Sequence, residues 1–441
     1  MMPVPSSMVS YVSPRLKTAP QAGGFERHLP KLTFLLNLGP EALLPAPENV
    51  QKFPLLQDCV SILKNVNAQV QNFRRSSMLL NQSLVQSPVQ RLVSIPAFAL
   101  KTVNADFVVE EIYLSPRLTP QEIATQTYLW IAKEDLTTFE LLRLLAHSFH
   151  LNETQVSAAG LKDEQAISRQ LVSVAKILAA ADIDRANAEF ARQNRIILIE
   201  NILGYGLDPV APQMLHGNKF TLTLRDLQPD LAQRLEGYLA ANKFFSFINY
   251  YDEQRFGLPN SIHNTAQIGQ ALLANNWETA YREYLRSGIP NDEISRAEAA
   301  LAETGSVEAA LRTVAASRLG FFVAAHQSRL WNQSLNQTIA QLPETIQVDF
   351  PHVGSLTLPT QPTAPLPALL SIEVVKKDWR TGLTYPDVKT RPALITVPVY
   401  GLNRFADDLH PGHRQAITLA FCLPTGCYAT MLIKQLVLAV L

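Results

Sequence analysis

The chain has 441 residues, 47% of them hydrophobic, with 38 basic and 38 acidic side chains and zero net charge. That length suggests about two to three domains or one elaborated domain, and the apolar content excludes wholesale disorder. The charge balance excludes a uniformly basic nucleic-acid binder or an acidic tail protein, yet the charge is uneven: residues 1–100 carry net +5, residues 371–441 net +3, and the middle −8.

The first twenty residues lack the apolar stretch of a secretory signal. No run approaches the ~20 apolar residues of a membrane span. Cys59, Cys422 and Cys427 are odd in number in a long chain, which points to a reducing compartment and not a disulfide framework. The expectation is a soluble, cytoplasmic protein with no membrane association. Cys422-x4-Cys427 lacks a matching pair nearby, so it reads as a strand cysteine and a turn residue, with no metal expected.

Residues 1–95 alternate short apolar pieces with proline- and serine-rich turns. They read as a partly ordered N-terminal extension, with a helix near Leu55–Val70 and a basic spot at Arg74-Arg75. From about residue 97 the signals sharpen. Asp106–Ile112 (DFVVEEI) reads as a strand, and Thr137 with Glu140 is a capping box opening a helix with Leu141, Leu142, Leu144, Leu145 and Phe149 on its apolar face. Ser168–Val174 and Asn194–Ile199 read as strands, and Lys219–Leu224 (KFTLTL) alternates at period two, as a half-buried strand does. Residues 265–342 are amphipathic helices. Four prolines at 359, 362, 365 and 367 mark residues 357–369 as a connection or an edge. Ile372–Val375, Ile395–Val399 and Ala416–Leu423 read as strands, and Tyr428–Leu441 closes the chain as an apolar helix or strand. Strands and helices without regular alternation predict an α+β fold with a mixed or antiparallel sheet.

The segment richest in chemistry is Ala159–Gln170, AGLKDEQAISRQ; alone, an aspartate after glycine in a loop usually caps a turn. Further segments stand in a fixed order with it: DFVVEE at 106–111, LHGNKFTLTLR at 215–225, NYYDEQRFG at 249–257, AAHQSRLWN at 324–332 and LPTGCYATM at 423–431. In this order they resemble the TruD family of tRNA pseudouridine synthases. That family carries G-x-K-D-x-x-A-x-T-x-Q, N-Y-[FY]-x-x-Q-R-F-G, an A-Y-Q-S helix and a closing L-P-x-G-x-Y-A-T. The resemblance spans roughly residues 97–441.

The resemblance implies a pseudouridine-synthase-type catalytic domain over 96–340 and 405–441, with a shortened insertion domain at 341–404. It implies tRNA as partner, no protein partner, and no metal or organic cofactor. The reaction detaches a uracil, by resemblance that of position 13, from its ribose at N1, turns it and rejoins it through C5. Asp163 corresponds to the essential aspartate; a carboxylate can attack covalently or take a proton and then leave. The target base must be flipped out and held by stacking. Tyr251 aligns with the aromatic position suited to stacking, against a reading of Tyr250 and Tyr251 as core, and Asn249 aligns with a residue that hydrogen-bonds the base edge or orients Asp163. Lys162 either keeps Asp163 ionised or meets RNA phosphate. Lys101 is a phosphate or Asp163 partner, or a solvated lysine; Arg255 binds phosphate or braces its loop. Gln170 and Gln254 belong to the two signatures and read as RNA or active-site support.

Some positions depart from the family pattern. Glu164 stands where a basic residue is usual, Asp252 replaces a glycine, Ser168 a threonine, Ala158 an aromatic residue and His326 a tyrosine. Glu164 and Asp252 bring acid into two loops expected to face an anionic substrate. The competing reading is therefore a divergent, weak or inactive homologue that serves as a structural tRNA-binding or folding factor. A weaker one is an enzyme of this fold acting on mRNA or rRNA.

Overall fold

The computed structural model describes residues 92–441 apart from 258–261, 289–290, 315, 361–365 and 380. Nearly all of the N-terminal extension, with the expected helix near Leu55–Val70 and Cys59, lies outside the described residues. No described helix is long and apolar enough to cross a membrane.

The expected strands form where β-branched and aromatic residues cluster, and most of them join one sheet. In chain order these are β1 (Leu92–Ser94), β2 (Phe107–Tyr113), β3 (Gln126–Lys133), β4 (Val156–Ala158), β5 (Ile167–Val174), β6 (Ile197–Gly206), β7 (Leu215–Leu227), β8 (Phe244–Ile248), β9 (Thr345–Phe350), β10 (Gly354–Pro359), β11 (Leu369–Lys377), β12 (Thr384–Pro392), β13 (Leu394–Ala406) and β14 (Gln415–Pro424). The large sheet runs β6-β3-β5-β2-β7-β14-β13-β8, with β4 added on β5. Within it β2 and β5 pair parallel, and the remaining pairs are antiparallel. The small sheet is ordered β1-β9-β10, and β11 pairs with β12 as a separate ribbon.

The helices are α1 (Thr138–Ser148), α2 (Ala180–Arg192), α3 (Pro229–Ala241), α4 (Thr265–Leu273), α5 (Trp277–Leu285), α6 (Asn291–Thr304), α7 (Val307–Arg312), α8 (Ala316–Ile339) and α9 (Ala429–Ala439). The capping box opens α1 as read: Glu140 N donates to Thr137 Oγ1 at 3.2 Å, and Thr137 N donates to Glu140 Oε2 at 3.0 Å. The closing segment, open between helix and strand, is the helix α9.

Three apolar clusters hold the fold, each buried side chain contributing about 1.5–3 kcal/mol. One joins Phe107, Phe220, Leu222 and Phe421 of the sheet to Trp331 and Leu335 of α8 and Leu432 and Leu436 of α9. A second packs Leu141 and Leu145 of α1 and Ile183 and Phe190 of α2 on Leu129, Ile131, Val172 and Val174. The third lies among α4, α5, α6, α7 and α8. The proline-marked stretch begins at the edge strand β10, where Pro359 ends the ladder opposite Thr345. The expected boundary at 404/405 falls inside β13, whose residues pair with β8 and β14, so 394–404 are part of the large sheet.

Part of the acid of the middle segment is paired within the fold. Glu110 on β2 faces Lys219 on β7 at 2.9 Å, Arg169 pairs with Glu200 at 2.9 Å, and Arg225 bonds both Asp106 at 2.8 Å and Asp407 at 3.1 Å.

Candidate active site

The loop between β4 and β5 carries Asp163, and its conformation is enforced from below. Gly160 lies close under its neighbours: a Cβ there would meet Leu215 Cδ2 at 2.8 Å and Lys162 Nζ at 3.1 Å, so those side chains would have to shift. Lys162 turns into the interior, where Nζ lies 2.6 Å from Glu111 Oε1; the two side chains are 5% and 0% exposed. Burial holds the Glu111 carboxyl above its ordinary value, opposed by the Lys162 charge and by hydrogen bonds from Lys162 and Leu171 N. The Lys162 backbone N–H donates to Thr138 Oγ1 at 2.9 Å, at the first turn of α1. Lys133, fully buried on β3, donates through Nζ to the Asp163 carbonyl at 3.0 Å and to the Leu136 carbonyl at 2.5 Å. Burial pushes its pKa down to about 8, against the upward pull of Asp163.

With its backbone pinned, Asp163 presents its side chain outward, 46% exposed, and Oδ2 meets Lys101 Nζ at 2.5 Å. Lys101 sits at φ +60°, a left-handed conformation that a side chain seldom adopts, and its ammonium lies 4.2 Å from the Phe107 ring centroid. Asp163 opens on a cavity of about 140 Å³ that Asn218, Phe220, Gln254 and Tyr428 also line. An apolar cavity of ~150 Å³ admits one benzene, so this volume matches a single six-membered ring. The buried Oδ1 of Asn218 has no hydrogen-bond partner.

The second signature is placed one layer behind this cavity, which revises several expectations. Asn249 is buried and occupied: its Nδ2 donates to the Pro392 carbonyl at 2.9 Å, and its Oδ1 accepts from Arg391 Nη2 at 3.0 Å. It neither reaches Asp163 nor lines the cavity. The Tyr251 ring is buried, with the Arg391 guanidinium carbon 3.7 Å from its centroid and Tyr428 edge-on at 5.8 Å. The aromatic ring that lines the cavity from the closing signature is Tyr428. Tyr250 is core: its hydroxyl bonds Asn336 Oδ1 at 2.7 Å and the Thr357 carbonyl at 2.9 Å. Arg255 Nε bonds Ser328 Oγ at 3.1 Å, and exposed Gln254 lines the Asp163 cavity. Gln170 is fully buried beside Thr138 Oγ1 at 3.3 Å, a bond that braces the loop and leaves no route to RNA. Lys162 likewise serves Glu111, because the loop turns its side chain inward.

The two misplaced acids differ in fate. Asp252 is fully buried and takes Lys434 Nζ at 2.8 and 3.1 Å, so it adds no acid to the cleft. Glu164 is exposed beside Asp163. Among the described residues, Glu253, His263 and His352 bring ligand-type atoms within 4.8 Å of one another. Their imidazoles stack face to face at 4.0 Å, and Glu253 is held by Lys434 at 3.1 Å.

Sequence reasoning missed Lys133, Glu111, Tyr428, Lys389 and Arg391. Glu110-Glu111 inside an apolar strand was a usable signal, since a buried acid requires a cation.

The sequence family model for tRNA pseudouridine synthase D (TruD) matches residues 97–318, just over half of the chain. The chain belongs to the TruD family. The tRNA pseudouridine synthase D of Syntrophotalea carbinolica is 27% identical over 406 residues, covering 76% of this chain and 95% of that protein. That of Aquifex aeolicus is 24% identical, covering 76% and 97%. A solved TruD structure from Methanosarcina mazei shares the fold, with a TM-score of 0.50 at 17% identity over 77% of this chain and 93% of that one. The α+β class expected for a TruD protein accordingly holds.

Proposed function

We propose that this TruD-family chain is a tRNA pseudouridine synthase, and that its target is the uridine at position 13. The observation that carries the mechanism is the half-exposed Asp163 carboxylate, gripped by Lys101 at the mouth of a ring-sized cavity. A flipped uridine entering there sets its base among Phe107, Phe220 and Tyr428, and Asn218 and Gln254 offer amides to its edge. Asp163 acts as the nucleophile or base. The glycosidic C1′–N1 bond breaks, the uracil turns, C1′–C5 forms, and the C5 proton leaves to solvent while N1 gains one. The reaction is an isomerisation, with no water or electrons consumed. Lys101 positions and balances the carboxylate, and Lys133 fixes the backbone that carries it. Tyr251 supports Tyr428 from behind, and Arg255 braces Ser328.

The test uses full-length protein and tRNA transcripts labelled with tritium at uridine C5. Tritium release and pseudouridine at position 13 are expected from wild type and not from Asp163→Asn. Binding without release would instead favour a structural tRNA factor. Release at another position, or from mRNA or rRNA alone, would overturn the target.

A further inference from the structure

Three cations converge on the buried Tyr251 ring. The Arg391 guanidinium carbon lies 3.7 Å from the centroid, Lys389 Nζ 4.7 Å and the Arg255 guanidinium carbon 5.8 Å. Two other deeply placed cations at this centre have a carboxylate, Lys162 with Glu111 and Lys434 with Asp252, whereas Lys133 bonds only backbone carbonyls. Among the described residues Lys389, Arg391 and Arg255 form no ion pair. Their partners include no carboxylate: Ser328 Oγ for Arg255 at 3.1 Å and Lys389 at 3.3 Å, Asn249 Oδ1 and the Gly426 carbonyl for Arg391 at 3.0 and 2.8 Å, and for Lys389 the Tyr251 hydroxyl, whose pKa burial raises and the three cations bring below its ordinary value. Arg391 Nη1 is buried with no partner at all. Like charges gathered without a counter-charge repel, and a fold tolerates that mainly where an anion is to arrive.

The position names the anion. Arg391 holds the carbonyl of Gly426, whose neighbours Cys427 and Tyr428 line the Asp163 cavity, and Arg255 follows Gln254, which lines it too. We propose that Lys389 and Arg391 of β12, with Arg255, bind a phosphodiester of the RNA strand beside the nucleotide taken into the Asp163 cavity. A guanidinium fork and an ammonium suit phosphate oxygens. The inference rests on the reading of the chain as a tRNA enzyme, and it makes the β11–β12 ribbon the element that grips the backbone next to the flipped base.

Binding of the full-length Asp163→Asn protein to tRNA transcript is measured across a salt series. Lys389→Gln and Arg391→Gln are each expected to reduce the slope of log affinity against log salt by about 0.7, the value for one single-strand phosphate contact. Lys376→Gln, in the same ribbon and already paired with Asp387 at 2.6 Å, leaves the slope unchanged. Arg391 also braces Asn249, so Lys389→Gln decides: an unchanged slope with an unchanged melting temperature overturns the proposal. Tighter binding by Arg391→Gln overturns it as well, marking the guanidinium as a plug on Tyr251. An ultraviolet ionisation signal at neutral pH that disappears in Tyr251→Phe would make the phenolate the counter-charge and likewise overturn it. Inorganic phosphate that raises the melting temperature of wild type but not of Lys389→Gln would show that free phosphate shares the site; no such effect with a changed tRNA slope confines it to the RNA backbone. Tritium release by wild type is scored separately, so failure of the synthase reading and failure of this site are distinguishable.

Discussion

Replacing Lys162 with methionine removes one half of the ion pair beneath the Asp163 loop and leaves Glu111, fully buried, without its cation. Breaking a buried pair from one side costs about 3–5 kcal/mol. Against a native stability of ~5–15 kcal/mol, that is about a fifth or more of the total. The sign of the pH dependence follows from Glu111, whose folded-state pKa already lies above its ordinary value because of burial. Without Lys162 it rises further. A raised carboxyl stabilises the fold below its unfolded value and loses that contribution as pH climbs through the folded value. The gap between variant and wild type therefore narrows on acidification, by up to about 1.4 kcal/mol per pH unit across the window between the two folded-state values. Urea unfolding at about pH 8 and again at about pH 5.5 measures both quantities. Adding Glu111→Leu is expected to return much of the loss, leaving the Leu171 N–H without its acceptor at about 1–3 kcal/mol. A Lys162→Met protein within about 1 kcal/mol of wild type at the higher pH, or a gap that stays constant at the lower, refutes the reasoning.

Lys101→Ala is expected to lower kcat about 10²-fold with little change in melting temperature, because it removes the one ammonium on an exposed carboxylate; an unchanged kcat contradicts that role. Turnover is expected to fall on an alkaline limb near pH 8 as Lys133 loses its proton and the charge that strengthens its hydrogen bond to the Asp163 carbonyl. The folded value of Lys133 lies below its ordinary 10.5, so its linkage favours the folded state as pH rises from about 8 to 10.5, and the melting temperature does not fall on its account. A pH profile flat through this range refutes the assignment. Tyr428→Ala is expected to reduce kcat/KM by about 10-fold or more through lost base contact, whereas Tyr250→Phe costs about 1 kcal/mol of stability and leaves kcat/KM near wild type. The reverse pattern would move the stacking surface to the second signature.

Much of the framework was legible in the chain. The capping box of α1, the strands β2, β5, β7 and β14, and the ordered signatures all follow from local pattern, since periodicity and capping act over a few residues. The Asp163 loop was legible for the same reason. Residues that meet only through the fold were not: Lys162 reads as a neighbour of Asp163 but its side chain goes to Glu111, and Asn249 and Tyr251 read as base contacts but are enclosed by Arg391, well over a hundred positions later.

The order of residues sufficed for the family and the fold class, and it placed an excess of acid in the middle of a chain whose net charge is zero. What that acid does was settled by tertiary packing alone. Glu110, Glu111, Asp106 and Asp252 lie buried against Lys219, Lys162, Arg225 and Lys434, while Lys389, Arg391 and Arg255 meet no carboxylate among the described residues. A sum over the chain weights every charge equally. The field at a cleft is set by which charges are paired within a few ångströms and which are left over, and that is a property of register and packing.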